Sequence, residues 1–231
     1  MQSKIPPSLK IAGLLLGGLV VCIAVFVAVY RAKYPTYTYR YRMTVTVEVD
    51  GEPRSGSSVI EVNVRKNSSP MFEKRVLLES VQGEAAFVPV RGGLDLVALL
   101  ASGSYGEDVD YPTRVVPGVF ELDTFDERVR DRLPGLRGRR ELSGKWLPTL
   151  VQVSDPNDSA TLRVIRPDEF DQVFGPGVRW RGVTIDMTTD AVTHGIEERL
   201  PFLIKERENR YLVYTRPNMF TPNYSYFVRS W

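Results

Sequence analysis

An uninterrupted apolar stretch near the N-terminus constrains this chain more than any other feature of its sequence. Residues 11–30 contain no charged side chain and are bordered by Lys10 and Arg31. At about 1.5 Å of rise per residue, a helix of this length measures about 30 Å, the thickness of the hydrocarbon core of a bilayer. Lipid offers the backbone no hydrogen-bond partners, so such a segment must be helical. We therefore predict a transmembrane helix at residues 11–30.

The stretch differs from a cleaved export signal. A signal peptide has an apolar core of about 7–15 residues that is followed by small residues at the cleavage site. Here the run is longer and ends in bulky side chains, including Phe26 and Tyr30. Cys22 lies in the middle of the span and follows two valines, whereas a lipoprotein site needs a small residue before the cysteine. We predict a retained membrane anchor that follows a short tail at residues 1–10.

The orientation of the span depends on a weaker signal. Basic residues favour the cytoplasmic side, but the two flanks carry similar numbers, with Lys4 and Lys10 before the span and Arg31, Lys33, Arg40 and Arg42 after it. The 201 residues after the span contain no cysteine, which suits an oxidising compartment. We predict a cytoplasmic N-terminus and an extracytoplasmic C-terminal domain in the cytoplasmic membrane.

Gly13 and Gly17 form a G-x-x-x-G pair on the predicted span. This spacing allows two helices to approach closely. Small residues are common in spans and Gly18 adjoins the pair, so the pattern does not single out one face. Homodimerisation through Gly13 and Gly17 stays an alternative to a span without a helical partner.

The charge balance argues against nucleic acid as a partner. Of the 30 basic residues, Lys4 and Lys10 precede or border the span, which leaves 28 against 28 acidic residues in the remainder. A protein that binds nucleic acid normally carries an excess of positive charge. The densest basic stretch, residues 137–140, is flanked by Asp131 and Glu141. We interpret it as a solvated loop.

After a linker at residues 31–38, the pattern changes to that of β-structure. Residues 39–49 alternate strictly between apolar or aromatic side chains and polar ones, which predicts a strand with one buried face. Asp50-Gly51 predicts a tight turn, and residues 57–64 supply the returning strand.

The remainder predicts an α+β domain at residues 39–231 with two or three short helices. Further strands are predicted at 75–79, 85–90, 94–100, 149–153, 160–165, 178–187, 210–215 and 224–228. Helices are predicted at 121–132, 167–174 and 189–200. A long Gly-, Ser- and Pro-containing loop is predicted at 101–118, and it leaves open whether the domain is single or consists of two subdomains that meet near residues 103–120.

Two parts of this domain resemble a group of uncharacterised bacterial envelope proteins. The first contains YRYRMTVTVEV at 39–49 and GSSVIEV at 56–62; the second contains PTLV at 148–151, DPND at 155–158, FGPGV at 174–178 and VTHGIEERLP at 192–201. Members of the group begin with an export or anchoring segment, so the resemblance favours the outward orientation. The group has no assigned activity, and the resemblance therefore implies no catalytic residue.

His194 is the only histidine, which leaves few schemes for acid–base catalysis or metal binding. Asp190, His194 and Glu198 would lie on one face of the predicted helix 189–200, where they could bind a metal weakly. The alternative interpretation is that they make ordinary surface or core hydrogen bonds. We assign no metal ligand, cofactor or catalytic residue.

A hydrolase is the alternative function. Ser104 lies in a stretch, residues 102–106, that is similar to the tight turn of G-x-S-x-G, although Ser102 replaces the first glycine and no long helix is predicted to follow. His194 would have to act as its base. Carboxylates could act instead if two faced each other across a cleft, and the candidate pairs are Asp108 with Asp110, Asp123 with Asp126, and Glu197 with Glu198.

The prediction that the sequence favours is a single-pass membrane protein whose extracytoplasmic domain is a binding or structural module. Its partners would be the bilayer, through residues 11–30, and a protein of the envelope. One candidate contact surface is the loop at 102–117. The other is the aromatic C-terminal segment, which contains Tyr211, Tyr214, Phe220, Tyr224, Tyr226, Phe227 and Trp231.

Overall fold

The structure is a computed structural model that describes residues 7–66, 77–208 and 223–230. The chain divides into two compact units: Met1–Thr36 with Arg65–Leu78, and Tyr37–Val64 with Glu79–Trp231. The predicted strand at 210–215 lies outside the described residues.

The N-terminal apolar run forms one long helix, α1 (Pro7–Lys33). Its segment Leu16–Lys33 has a mean hydropathy of 1.8, is long and apolar enough to cross a membrane, and has no buried side chain. Leu16 and Phe26 are 68% and 70% exposed, as expected where the neighbouring solvent is lipid. The helix continues three residues beyond the predicted span, and Pro35, which disfavours helix in the residue before it, follows its end.

The described residues form two β-sheets. The first contains β1 (Thr36–Val49), β2 (Glu52–Lys66), β3 (Leu77–Glu84), β6 (Arg139–Leu142), β9 (Val178–Thr188) and β10 (Val228–Ser230), in the order β10-β3-β2-β1-β9-β6. The second contains β4 (Ala86–Arg91), β5 (Leu94–Ser102), β7 (Pro148–Val153) and β8 (Arg163–Ile165), in the order β4-β5-β7-β8. Only Ala85 separates β3 from β4, so the chain passes from one sheet to the other at this corner.

The predicted hairpin β1–β2 is confirmed. Every second side chain from Tyr37 to Val49 is buried, and the side chains between them are half-buried. Asp50 and Gly51 have φ values of 54° and 87°. A two-residue type I′ turn requires positive φ at both positions, and Asp-Gly supplies it at little steric cost.

The second sheet contributes to a hydrophobic core. β5 is buried on both faces, which explains its continuous apolar sequence. On one face, Val97, Leu99 and Ala101 pack in a cluster with residues of the C-terminal helices. These helices are α5 (Ile196–Arg199), α6 (Phe202–Glu208) and α7 (Tyr224–Phe227). The α+β class is confirmed, with six short α-helices after α1 in the described part of the chain rather than two or three.

The long loop predicted at 101–118 is partly wrong, because α2 (Tyr111–Val119) forms there. Pro112 is tolerated because it lies in the first turn. Pro117 lies inside the helix and cannot donate a hydrogen bond to the carbonyl of Thr113, four residues earlier. The buried hydroxyl of Tyr39 donates to that carbonyl instead, at 3.4 Å. A partner from β1 therefore allows a helix that the sequence disfavours.

The helix predicted at 121–132 is shorter than expected. It forms as α3 (Glu127–Arg132), because the side chain of Asp126 accepts a hydrogen bond from the Arg128 N–H and caps the start. Glu121 takes a positive φ of 55°, so this residue cannot belong to a right-handed helix. The helix at 167–174 is confirmed as a 3-10 turn, Pro167–Glu169, that continues into α4 (Phe170–Phe174).

Three further predictions are corrected. The helix predicted at 189–200 is reduced to α5, because the carboxylate of Glu84 accepts hydrogen bonds from the backbone of Gly195 and Ile196 and fixes the first turn there. The strand predicted at 224–228 is mainly α7, whose start is capped by the side chain of Asn223. The strand predicted at 160–165 is reduced to β8 after a 3-10 turn at Ser159–Thr161.

Candidate functional site: an open cleft at the end of the second sheet

A cleft of about 1010 Å³ lies at one end of the second sheet. Three parts of the chain form its walls: the loop 102–108 after β5 together with Arg114 of α2, the 3-10 turn Gly144–Trp146 with the start of β7, and the end of β8 with residues 166–169. All of them belong to the same compact unit.

The loop 102–108 is held in place by hydrogen bonds. Ser102 and Asp108 exchange two backbone hydrogen bonds of 3.1 and 3.0 Å, and the Thr149 hydroxyl donates to the carbonyl of Gly103 at 2.7 Å. Gly103 has a φ of +99°, and a Cβ there would lie 2.1 Å from Oε2 of Glu107. Only glycine therefore lets the Glu107 carboxylate fold back to accept the Tyr105 N–H, at 3.0 Å.

The cleft walls carry charges of both signs in equal number, namely Arg114, Lys145 and Arg166 against Glu107, Asp108 and Glu169. Arg114 bridges two carboxylates, with contacts of 3.2 Å to Asp108 and 2.8 Å to Asp110. Glu169 accepts the backbone N–H of Arg166 at 2.8 Å. These carboxylates are therefore already engaged in contacts that fix the walls.

Trp146 is the aromatic centre of one wall. Nζ of Lys145 lies 4.8 Å from the centroid of its ring, within the range of a cation–π contact. Its carbonyl accepts the hydroxyl of Tyr111 at 3.1 Å. A Cβ on Gly118 would lie 2.0 Å from the indole, so α2 approaches Trp146 closely only because residue 118 is glycine.

The structure does not bring the predicted serine and histidine into one cleft. Ser104 lines the cleft, whereas His194 is absent from its walls and precedes α5. Thr193, its neighbour, exchanges hydrogen bonds with Val59 of β2. His194 therefore belongs to the connection that packs on the first sheet.

The predicted carboxylate pairs have structural partners. Asp108 and Asp110 bind Arg114, as described above, and Asp126 caps α3. Asp123 accepts the Phe125 N–H at 3.0 Å. Glu197 accepts the hydroxyl of Tyr224 at 2.8 Å and contacts Arg207 at 3.4 Å.

The metal site considered for Asp190, His194 and Glu198 does not form, because residues 191–195 are not helical. Asp190 instead pairs with Arg42 and accepts the hydroxyl of Thr188. Within residues 7–66, 77–208 and 223–230, no group of three His, Cys, Asp or Glu side chains is arranged to hold a metal ion.

Glu84 is a buried acidic residue that sequence reasoning missed. It is 6% exposed, and its two carboxylate oxygens accept the N–H groups of Gly195 and Ile196 at 3.0 and 2.9 Å. Burial raises the pKa of this carboxyl, against the effect of the two hydrogen bonds. The available signal was its position between Gly83 and the apolar run that begins at Ala85. Glu84 joins β3 to α5 and lies outside the cleft.

The described part of the second predicted contact surface is internal. Tyr224, Tyr226 and Phe227 are buried in the core cluster beside β5, and Tyr211, Tyr214, Phe220 and Trp231 lie outside the described residues. Of the two surfaces predicted from the sequence, the segment 102–117 is the one that contributes to a cleft.

No protein-family model, curated protein or solved structure matches the chain. What the domain binds must therefore be inferred from the chemistry of its own surfaces.

Proposed function

We propose that this chain is a single-span protein of the bacterial inner membrane whose extracytoplasmic α+β domain binds another envelope protein. The observation that carries the proposal is the open, charge-balanced cleft at the end of the second sheet. The resemblance of two segments to bacterial envelope proteins supports the same location.

The cleft suits a polypeptide segment better than a small or strongly anionic ligand. Its volume is at the upper end of the range of about 300–1000 Å³ that is usual for small-molecule sites, and both signs of charge line it. Trp146, Tyr105, Arg114 and Arg166 provide the residue types that dominate protein–protein interfaces. An extended segment with mixed charges would complement these walls.

Crosslinking in intact membranes tests this proposal. A photoreactive amino acid replaces Tyr105, which is 38% exposed in the cleft. As a matched control, the same amino acid replaces Phe125, which is 59% exposed and outside the cleft. We expect a discrete adduct of higher mass from position 105 only, reduced by Lys145→Glu. An adduct that is absent, or equally strong from position 125, would contradict the proposal.

The anchor and its orientation need a separate test. We expect the full chain to stay with vesicles in alkaline carbonate. Cys22 is the only cysteine, so a Cys22→Ser chain with one cysteine at Phe125 reports the side of the domain. Labelling of intact spheroplasts by a membrane-impermeant maleimide supports an extracytoplasmic domain; labelling only after lysis reverses the orientation.

A further inference from the structure

Three aromatic side chains form a stripe along the C-terminal part of α1. Phe26, Tyr30 and Tyr34 are spaced by four residues, which places them on one helix face. The Tyr34 N–H donates to the Tyr30 carbonyl at 2.9 Å, so the helical geometry extends to Tyr34. Ring centroids are 6.4 Å apart between the first two and 5.1 Å apart between the last two. The change from phenyl to phenol along the stripe suits the boundary between hydrocarbon and headgroups.

A pocket of about 330 Å³ opens beside this stripe, within the compact unit that contains α1. Its lining includes the apolar residues Phe26 and Val27 and the basic residues Arg31 and Arg65. At about 1.5 Å of rise per residue, Arg31 lies about 7 Å beyond Phe26 along the helix axis. The pocket is therefore apolar at one end and cationic at the other.

Within residues 7–66, 77–208 and 223–230, no acidic side chain lines this pocket. The first acidic residue of the sequence is Glu48. Within the described residues, neither Arg31 nor Arg65 forms an ion pair or a hydrogen bond. Two arginines that no described carboxylate pairs favour a phosphate, because the planar guanidinium matches its oxygens in a bidentate arrangement.

We propose that this pocket binds one anionic phospholipid, with the headgroup phosphate between Arg31 and Arg65 and the start of an acyl chain along Phe26 and Val27. The inference rests on α1 crossing the bilayer, as proposed above, and adds a ligand site that is independent of the cleft. The bound lipid would tie the end of the span to Arg65, which belongs to the same compact unit.

Lipid retention measures this site directly. The full chain is reconstituted in nanodiscs of equal parts phosphatidylglycerol and phosphatidylcholine and then delipidated stepwise in mild detergent. Native mass spectrometry counts the phospholipids that stay bound. We expect phosphatidylglycerol to be retained in preference to phosphatidylcholine. Arg65→Gln and Arg31→Gln should each lower that preference about fivefold, the effect of one basic residue near an anionic surface.

Matched controls separate a site from general attraction. Lys66 adjoins Arg65 and is exposed but does not line the pocket, so Lys66→Gln should leave the preference unchanged. Arg65→Lys keeps the charge but loses the bidentate geometry, and we expect an intermediate preference. An equal loss in Lys66→Gln and Arg65→Gln would overturn the inference.

Two further outcomes separate lipid binding from binding of free phosphate and from failure of the anchoring proposal. Soluble glycerol phosphate should not displace the retained lipid; displacement at equal concentration would assign the pocket to free phosphate and overturn the lipid assignment. Equal retention of both lipids by a chain that resists carbonate extraction would overturn this inference alone. A chain that carbonate removes from vesicles fails the anchoring proposal instead.

Discussion

The hydrogen bond from Tyr39 of β1 to α2 predicts that substitutions of Tyr39 and Pro117 have non-additive effects on the free energy of unfolding. The Tyr39 hydroxyl donates to the carbonyl of Thr113, which Pro117 deprives of its helical donor. Tyr39→Phe should therefore leave a buried carbonyl without a partner. Such a loss lowers the free energy of unfolding by about 1–3 kcal/mol. Because this hydrogen bond is long, at 3.4 Å, we expect a loss of ~1 kcal/mol.

Pro117→Ala supplies the missing N–H. In that background, residue 117 can donate to the Thr113 carbonyl, and the free energy of unfolding should then depend little on the Tyr39 hydroxyl. The double-mutant cycle of Tyr39→Phe and Pro117→Ala should give a coupling of about 1 kcal/mol. The effect of Pro117→Ala alone does not enter this prediction, because the cycle cancels it.

Urea unfolding of the full chain in detergent micelles measures the cycle. The three tryptophans, at 146, 180 and 231, all follow α1, so their fluorescence reports unfolding of the domain. With an m-value of about 2.5 kcal/mol/M, a difference of ~1 kcal/mol shifts the midpoint by about 0.4 M.

Tyr41→Phe is the matched control. The Tyr41 hydroxyl donates to the carbonyl of Pro112 at 3.2 Å, and the normal helical donor to that carbonyl, the N–H of residue 116, is present in both backgrounds. Its effect on the unfolding free energy should be the same in the original chain as in the Pro117→Ala variant. A Tyr39→Phe effect that is also independent of residue 117 would refute the compensation argument.

Three other predictions concern packing and titration. Gly118→Ala should lower the free energy of unfolding by about 1–3 kcal/mol through overpacking against Trp146, and it should alter the tryptophan fluorescence. Gly135→Ala is the control: a Cβ there meets no atom within 4 Å, so the free energy of unfolding should change little. Burial raises the pKa of Glu84 above 4.5, so its contribution to stability is fully present below pH 4.5 and is lost as pH rises through the raised pKa. Glu84→Gln should therefore flatten the pH dependence of the urea midpoint in that range, and an unchanged slope would contradict this. Burial and a hydrogen bond to a carboxylate raise the pKa of Tyr224 to about 12. A near-UV titration should therefore show a phenolate with that pKa, and Tyr224→Phe should remove it. The contribution of this group to the free energy of unfolding should fall as pH rises from 10 towards 12.

The strongest local signals in the sequence were sufficient to predict their elements. The apolar run at 11–30 lies entirely within α1, and the alternation at 39–49 matches the buried face of β1. Asp50-Gly51 forms the expected turn. In each case the pattern is a local property of the segment, so no distant residue is needed to interpret it.

Two of the errors arose where a distant residue decides the local structure. α2 contains an internal proline and forms with a hydrogen bond from Tyr39, more than 70 residues earlier in the chain. α5 begins at Ile196 because Glu84, 112 residues away in sequence, accepts its first N–H groups. Helical spacing alone had predicted one helix through Asp190, His194 and Glu198.

The candidate cleft shows the same division. Its loop at 102–117 was predicted as a contact surface, but the other two walls come from residues 144–150 and 164–169, which no motif connects. By itself the sequence determined a helix long and apolar enough to cross a membrane and a β-rich domain, because hydrophobic length and periodicity are local properties. Tertiary structure alone decided which charges meet, which carbonyls find donors and where a cleft opens, because those depend on hydrogen bonds and packing between segments that are distant in the chain.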